Sequence, residues 1–263
     1  AISVVFTGTS GDVAATIVAR QETMLDLEIP STASSGPVRV LHGTSTVGTF
    51  SFTLVEEPRL LNVATIARTL APPEGIAVTR TGIVYAVETQ AHRVVRVHAT
   101  GEVQVVAGTG KPGNVDGPAL AAQFSFPTGI AVDDERNILY VSDTRNHCIR
   151  AIHADGRVTT LAGSGRPADT DGSGAFAAFR EPRGLALGDR GLLYVADTQN
   201  HKVKTVTPEG VVTSLAGTGR PSFRDGVLRD AGFHEPSAIA ITSSVIYVID
   251  TRNSALRKIE NGV

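Results

Sequence analysis

The sequence has little of several features that would narrow its fold or function. Its 263 residues include one cysteine, one methionine and no tryptophan, and aromatic residues make up 5% of the chain. The single cysteine, Cys148, excludes an intramolecular disulfide, and no pair of CxxC motifs is present to hold zinc. No apolar run approaches the roughly 18 residues of a membrane span, and no signal-peptide pattern opens the given chain. The sequence therefore predicts a fold that is stabilised by packing and has no membrane span.

Strong net charge is also absent. Twenty-four basic and 26 acidic side chains give a formal net charge of −2, so no global field favours binding of nucleic acid. Hydrophobic residues make up 41% of the chain and charged residues 19%, which excludes intrinsic disorder.

Glycine and proline are plentiful, at 27 and 13 residues, and they punctuate an internal repeat. The 37 residues from Gly129 match the 36 residues from Gly184 almost position for position, and weaker copies begin at Gly75 and Ala238. One proline precedes each copy, and the spacings between them are 54, 55 and 54 residues: Pro73, Pro127, Pro182 and Pro236. The chain therefore contains four copies of one unit of about 54 residues.

Each copy has the pattern of a four-stranded antiparallel sheet. In the second copy, Val, Ile, Leu and Thr concentrate in four short segments separated by Asp-, Asn- and Gly-rich turns: residues 129–132, 138–142, 148–153 and 158–162. One such sheet cannot bury its apolar faces alone, whereas several arranged around an axis can. The repeat therefore predicts an all-β fold, a β-propeller of four-stranded blades.

The fourth copy ends where its outer strand should begin. A similar segment, residues 63–68, precedes the first copy and resembles residues 158–163. We expect this N-terminal segment to donate the fourth strand of the last blade and close a four-bladed propeller. The alternative is that the repeats belong to a longer array in a larger chain.

Residues 1–57 do not share the repeat. Five strand-like segments separated by Gly, Ser and Thr predict a small β-sandwich: residues 2–6, 14–19, 24–27, 38–41 and 50–55. We predict two domains, residues 1–57 and residues 58–263.

The repeats resemble the NHL family of β-propellers. The resemblance rests on Asp-Thr-Arg-Asn-His at 143–147, Asp-Thr-Gln-Asn-His at 197–201, and a linker pattern of Asp-Gly, Ala-x-Phe and Pro-x-Gly. It implies propellers that usually have about six blades. The family includes binding modules, RNA-binding domains, and lyases or lactone and ester hydrolases that often use a metal.

Residues 27–40 and 49–52 resemble part of an IPT/TIG immunoglobulin-like domain whose first strands are missing. Together with the absence of an initiator Met, this suggests a fragment or processed product. Pairing of IPT-like and NHL modules is typical of large cell-surface or secreted proteins, which implies an extracellular location.

Polar residues that recur in each copy are interpreted as structural turn caps. They are Asp143, Asn146, His147, Asp197, Asn200, His201, Asp250 and Asn253. A zinc site formed by the equivalent histidines is not favoured, because equivalent positions lie far apart around a propeller.

Polar residues that break the repeat are the candidates for ligand binding, since loops on a rigid scaffold usually carry function. They cluster beside the blade-opening prolines: Ser125, Thr128, Arg180, Glu181, Arg183, His234 and Glu235. We also expect the Asp-Gly linkers to share one face of the propeller with the DTxNH turns.

The favoured function is a non-catalytic binding or scaffold module that presents this loop face to a protein, a glycan or a small polar or anionic ligand. The first alternative is a propeller lyase or lactone or ester hydrolase, with His234, Glu181 and Glu235 as candidate catalytic residues. The second is RNA binding, which is disfavoured because basic and acidic residues alternate on the predicted face. No cofactor is predicted, and a metal ion in the channel is the lesser alternative.

Overall fold

The computed structural model describes residues 2–8, 11–14, 16–20, 25–28, 33–42, 45–52, 63–242 and 245–260. Their regular structure is all β, apart from short 3₁₀ helices. No described helix is long and apolar enough to cross a membrane. The chain divides into two compact units, Ala1–Ala64 and Thr65–Val263. The predicted domain boundary between residues 57 and 58 lies outside the described residues.

The N-terminal unit contains two antiparallel sheets. One sheet has four strands, Gly11–Ala14, Ile2–Gly8, Ala33–His42 and Ser45–Phe52 in spatial order, and the other pairs Thr16–Arg20 with Leu25–Glu28. The strand predicted over residues 14–19 is found at Thr16–Arg20. Ala14 belongs to the strand Gly11–Ala14, which pairs with Ile2–Gly8, whereas Thr16–Arg20 pairs with Leu25–Glu28.

The C-terminal unit is a four-bladed β-propeller with antiparallel sheets. Blade 1 comprises Pro73–Val78, Val84–Glu88, Arg93–Val97 and Val103–Ala107. Blade 2 comprises Ile130–Asp133, Ile138–Asp143, Cys148–His153 and Arg157–Ala162. Blade 3 comprises Pro182–Leu187, Leu193–Asp197, Lys202–Val206 and Val211–Ala216. Blade 4 comprises Pro236–Ile241, Val245–Asp250 and Ala255–Glu260.

Short 3₁₀ helices connect the second and third strands of every blade: Thr89–Ala91, Thr144–Asn146, Thr198–Asn200 and Thr251–Asn253. Three more lie in other connections, at Gly174–Phe176, Asp189–Gly191 and Leu228–Asp230. The strands predicted in the second repeat are confirmed to within one residue at each end.

The hydrophobic core lies between successive blades, because each blade alternates its side chains between the preceding and the following neighbour. Ile130 and Val141 of blade 2 pack with Val87 of blade 1, whereas Tyr140 and Ile149 pack with blade 3. Alternation of this kind buries both faces of a sheet that has neighbours on both sides.

Glycine permits the inner strands to approach one another closely. A Cβ on Gly75 would overlap the carbonyl oxygen of Thr128, and a Cβ on Gly129 would overlap that of Arg183. A Cβ on Gly184 would lie 2.8 Å from the carbonyl oxygen of Ser237. Blade 4 carries Ala238 at the equivalent position.

A buried cation in the third strand ties each of blades 2, 3 and 4 to the linker before it. In blade 2, Arg150 is fully buried; its Nη1 lies 2.7 Å from Asp143 Oδ2 and its Nη2 lies 2.6 Å from Asp116 Oδ1 of the linker. Its guanidinium carbon lies 5.1 Å from the ring centroid of Phe124. The Asp-Gly and Ala-x-Phe parts of the linker therefore both contact the Arg150 guanidinium.

The same arrangement recurs with other residues. Lys204 Nζ of blade 3 lies 2.9 Å from Asp169 and 3.5 Å from Asp197. Arg257 of blade 4 lies 2.8 Å from both Asp225 and Asp250. The corresponding aromatic rings are Phe179 and Phe233.

Blade 1 lacks both the buried cation and the linker aspartate. Val95 replaces the cation, no Asp-Gly linker precedes the blade, and its buried Glu88 pairs instead with Arg93 at the start of the third strand. Loss of the cation together with its linker shows that the two form one unit.

The described residues contradict the predicted closure by residues 63–68. These residues form no strand, and the sheet of blade 4 has three strands in the described part of the chain. The segment lies against blade 1, where the carbonyl group of Ile66 contacts Gly101. Gly210 of blade 3 contacts Leu161 of blade 2 in the same way. Ile66 and Ala67 thus lie beside blade 1 as an outer strand of a preceding blade would.

The Asp-Gly linkers do not lie on the same face as the DTxNH turns, contrary to the prediction from the sequence. Gly117–Pro118 pairs with the outer strand of blade 2, and Gly172–Ser173 pairs with that of blade 3. The next linker residue, Ala119, donates its N–H to Gly156, in the turn assigned to the opposite face. Pairing of the linker along the outer strand carries it away from the DTxNH turns.

Replacement of the buried guanidinium should destabilise the propeller strongly. We expect Arg150→Met to lower the free energy of unfolding by about 3–5 kcal/mol, since Asp143 would be left buried without its cation. Arg166→Met is the matched control, because Arg166 is exposed and its side chain makes no hydrogen bond or ion pair with described residues; it should change stability by less than about 0.5 kcal/mol. Urea denaturation would measure both, and equal stabilities would contradict the role of the cation.

Candidate functional site

Each junction between blades is joined by hydrogen bonds from the DTxNH turn of one blade to the opening residues of the next. His92 Nδ1 accepts from the Phe126 N–H at 3.1 Å, and His147 Nδ1 accepts from the Glu181 N–H at 3.1 Å. His201 Nδ1 accepts from the Glu235 N–H at 3.1 Å. Thr144 and Thr198 add hydroxyl hydrogen bonds of 2.8 Å to the carbonyl groups of Pro182 and Pro236.

The donor residues have an unusual backbone. Phe126, Glu181 and Glu235 have φ values of 47°, 49° and 53°, in the left-handed region that non-glycine residues seldom adopt. Each directly precedes a blade-opening proline. The histidine hydrogen bond therefore holds a backbone conformation that turns the chain into the inner strand.

Burial lowers the pKa of His92, His147 and His201, because a charged imidazole loses hydration there. Only a ring that lacks a proton on Nδ1 can accept these hydrogen bonds. Both effects favour the neutral ring with its proton on Nε2.

The aspartates and asparagines of the DTxNH turns bind the linkers. Asp143, Asp197 and Asp250 each accept a backbone N–H at 2.7 Å, from Ser125, Arg180 and His234. Asn146, Asn200 and Asn253 each donate to a linker carbonyl group, that of Gly113, Ala168 or Ser222. Burial raises the pKa of Asp143, and it raises that of Asp197 to about 6.

A cavity of about 370 Å³ lies at the centre of the propeller and is lined by the inner strands of all four blades. Four polar side chains line it at repeat-equivalent positions: Glu74, Thr128, Arg183 and Ser237. The Thr128 hydroxyl is engaged with Thr144 at 2.8 Å, and the Ser237 hydroxyl with Thr251 at 2.6 Å.

Arg183 is the cation of this cavity. Its side chain is half-buried, and no hydrogen bond or ion pair to its guanidinium exists among the described residues. The guanidinium thus has five N–H donors without an acceptor in the described part of the chain, and the Thr128 and Ser237 hydroxyls of the same cavity are already used. Of the seven predicted ligand-binding residues, the structure brings only Arg183 and Thr128 to this cavity.

The other five predicted residues lie at the junctions. The Ser125, Arg180 and His234 N–H groups bind the turn aspartates, and the Glu181 and Glu235 N–H groups bind histidines. His234 contacts His201 with ring centroids 5.5 Å apart, and Glu235 pairs with Arg252 at 3.1 Å.

Metal-binding geometry is absent from the described ranges, where no three His, Cys, Asp or Glu side chains are grouped to hold an ion. Cys148 is fully buried, and burial raises the pKa of its thiol.

The interpretation of the sequence missed the third-strand cations Arg150, Lys204 and Arg257. A comparison of the repeats could have predicted them, because the copy that has Val95 in place of the cation is also the copy without an Asp-Gly linker.

Comparisons with known proteins agree with the propeller. A family model described as SMP-30/Gluconolactonase/LRE-like region matches residues 117–220. The chain is 33% identical over 173 residues to the chloroplastic protein SUPPRESSOR OF QUENCHING 1 of Arabidopsis thaliana, covering 61% of this chain and 16% of that protein. It is 42% identical over 115 residues to human NHL repeat-containing protein 2, covering 43% of this chain and 15% of that protein. The chain thus spans less than a fifth of these relatives.

Among solved structures, an auxiliary nutrient binding protein from Bacteroides ovatus superposes with a TM-score of 0.57 at 20% identity, covering 97% of this chain and 57% of that one. This likeness shows the fold alone. The sequence similarities support an NHL-type propeller, and the matched family region does not reach the segment that resembles IPT/TIG domains.

Histidine protonation should weaken the junctions at acidic pH. Because the folded-state pKa values of His92, His147 and His201 lie below the unfolded value, their stabilising contribution is present above about pH 6.5 and is lost as pH falls through the folded-state values. The triple variant His92→Gln, His147→Gln, His201→Gln keeps an acceptor that does not titrate. Between pH 7.5 and 5, we expect the wild type to lose more unfolding free energy than this variant. Parallel pH profiles would contradict the assignment.

Proposed function

We propose that this NHL-type propeller is a non-catalytic binding module that takes a small anionic ligand in its central cavity. The observation that carries the proposal is Arg183, which lines the cavity and whose guanidinium has no acceptor among the described residues. A guanidinium binds a carboxylate through two parallel hydrogen bonds, which gives both affinity and orientation.

The cavity suits a ligand with one anionic group and several hydroxyls. Gly75, Gly129 and Gly184, which have no side chain, are among its lining residues. Hydroxyl groups of a ligand can bind the Thr128 and Ser237 hydroxyls, while the carboxylate of Glu74 restricts the anion to the Arg183 side. A sugar acid has this chemistry.

We also propose a location for the protein and an identity for its N-terminal unit. We place the protein outside the cell and retain an IPT/TIG-like assignment for residues 1–57, supported by the two antiparallel sheets of the N-terminal unit. A protein partner at the loop face is compatible with the same architecture. RNA is disfavoured by the balanced charge of the chain.

The competing function is lactone or ester hydrolysis, which the matched family region favours. It would use His234, Glu181 or Glu235 and a metal ion in the channel. Elemental analysis of the purified protein and lactonase assays of the wild type and His234→Ala test this function. We expect no stoichiometric metal, and we expect any lactonase turnover to be the same in both proteins.

Removal of the cavity cation should abolish ligand binding. With D-gluconate as the probe, we expect isothermal titration calorimetry to detect binding to the wild type and at least a tenfold weaker affinity for Arg183→Gln. Arg166→Gln serves as the control, because it removes an equal charge from an exposed position. Equal affinities of the wild type and Arg183→Gln would contradict the proposed site.

A further inference from the structure

A second cavity lies between blades 1 and 2, away from the central cavity. It has a volume of about 570 Å³, which is within the range of about 300–1,000 Å³ that is usual for small-molecule sites. The second, third and fourth strands of blade 1 form one wall, and residues 118–120 of the linker with Gly156 of blade 2 form the other. The Ala119 N–H donates to the Gly156 carbonyl group at 2.8 Å, so the linker wall is held against blade 2.

A smaller side chain in blade 1 accompanies this cavity. Val106 occupies the position that Leu161 has in blade 2 and Leu215 has in blade 3, and these leucines pack against the cores of the next two junctions. Tyr85, which lines the same cavity as Val106, is only partly buried, whereas its equivalent in blade 2, Tyr140, is 1% exposed. Blade 1 thus leaves space at a position that leucine fills in the two following blades.

Three polar side chains form a row along one wall. Tyr85 pairs with Arg96 across the second and third strands, and Arg96 pairs with Gln104 across the third and fourth. Residues directly opposite in an antiparallel sheet have their side chains on the same face, with Cβ atoms about 4.5–5.5 Å apart. All three line the cavity, and a phenol, a guanidinium and a primary amide can each donate hydrogen bonds. The wall therefore offers several donors to one ligand.

The guanidinium in this row breaks the repeat. The position of Arg96 holds Ala151 in blade 2 and Thr205 in blade 3, so the fold does not require a cation there. Blade 4 has Lys258, whose ammonium group pairs with Glu260 at 2.6 Å. Arg96 has no such ion pair in the described part of the chain.

Arg96 is also incompletely hydrogen-bonded. Its Nε is buried and has no hydrogen-bond partner among the described residues. The buried guanidiniums of Arg150 and Arg257, by contrast, each bind two carboxylates. Buried donors in folded proteins are nearly always paired, so this N–H indicates an acceptor that the described residues do not supply.

The rest of the lining is largely apolar. Leu120 is 65% exposed and replaces Ala175 of the next linker. An acceptor that enters this cavity would bury these side chains most favourably if it is attached to an apolar group. The apolar side chains around the polar row are Val105, Val106, Pro118, Ala119 and Leu120.

We propose that this cavity is a second ligand site, which binds a small carboxylic acid with an apolar body. The carboxylate accepts hydrogen bonds from Arg96, since a guanidinium and a carboxylate can form two parallel bonds. His98 Nε2 lies 3.2 Å from Gln104 Oε1, so this oxygen is already engaged and the amide N–H groups remain as donors to the same carboxylate. The apolar body packs on the valine, proline and leucine side chains of the cavity.

This ligand differs from the one proposed for the central cavity. A sugar acid carries hydroxyl groups along its whole length, and the apolar lining would leave them without hydrogen-bond partners. Phenylacetate has its carboxylate at one end of an apolar body and is therefore the probe for the second site.

Isothermal titration calorimetry with phenylacetate tests the site. We expect the wild type to bind phenylacetate and Arg96→Thr to bind it at least about tenfold more weakly, because the charge-assisted hydrogen bonds are lost. Arg96→Thr introduces the residue of blade 3 and should fold as the wild type does. Arg166→Thr is the control, because Arg166 is exposed, and it should keep the wild-type affinity. Equal affinities of the wild type and Arg96→Thr, or no binding to the wild type at about 10 mM phenylacetate, would overturn the proposal.

A second variant tests the shape of the site and keeps the cation. Val106→Leu introduces the side chain of blades 2 and 3 and should fill part of the cavity. We expect phenylacetate to bind at least about fivefold more weakly, and we expect urea denaturation to show no loss of stability. Unchanged phenylacetate affinity would contradict binding in this cavity.

The two proposed sites can be distinguished by exchanging the ligands. Arg183→Gln should leave the affinity for phenylacetate unchanged, and Arg96→Thr should leave the affinity for D-gluconate unchanged. Loss of phenylacetate binding in Arg183→Gln would place this acid in the central cavity and overturn the second site. Failure of D-gluconate to bind would contradict only the function proposed for the central cavity.

Discussion

The propeller depends on one interaction, a buried cation in the third strand that is shared between two carboxylates from separate parts of the chain. Arg150 joins Asp143 of its own blade to Asp116 of the preceding linker. A charge without hydration is tolerated in a protein interior only when it is paired and hydrogen-bonded, so the linker must adopt its path for the blade to be stable. The cation thus determines where a segment of about 20 residues lies, although that segment has little regular structure.

Two levels of organisation follow from this constraint. Within a blade, ion pairs join the linker to the sheet, and between blades, the histidine and threonine of the DTxNH turn join one blade to the opening residues of the next. The apolar clusters lie between the sheets of successive blades. Polar groups therefore set the register of blades whose apolar faces alone would tolerate sliding.

Much of this could be predicted from the sequence, because a repeat allows each position to be compared with its equivalents. The strands of blade 2 and the propeller itself followed from apolar alternation and the spacing of the prolines. The path of residues 63–68 could not be predicted, because an outer strand pairs with one blade and packs against the next, and its sequence does not show which contact is formed. Similarly, the polar residues Glu181 and Glu235 break the repeat, yet their N–H groups are used at junctions and Arg183 alone brings a cation to the cavity.

The close approach of the inner strands has a consequence for how ligand preference can change during evolution. Glycine in blades 1 to 3 removes side chains from one inner-strand position, and the residue before it supplies one side chain per blade to the cavity. These four positions hold an acid, a base and two hydroxyl residues in otherwise similar repeats: Glu74, Arg183, Thr128 and Ser237. Thr128 and Ser237 also bind the turn threonines Thr144 and Thr251, whereas the Arg183 guanidinium has no hydrogen bond with the described residues. A substitution at Arg183 would therefore change the charge of the cavity and leave the hydrogen bonds between the blades in place, which is how ligand preference could change without loss of the fold.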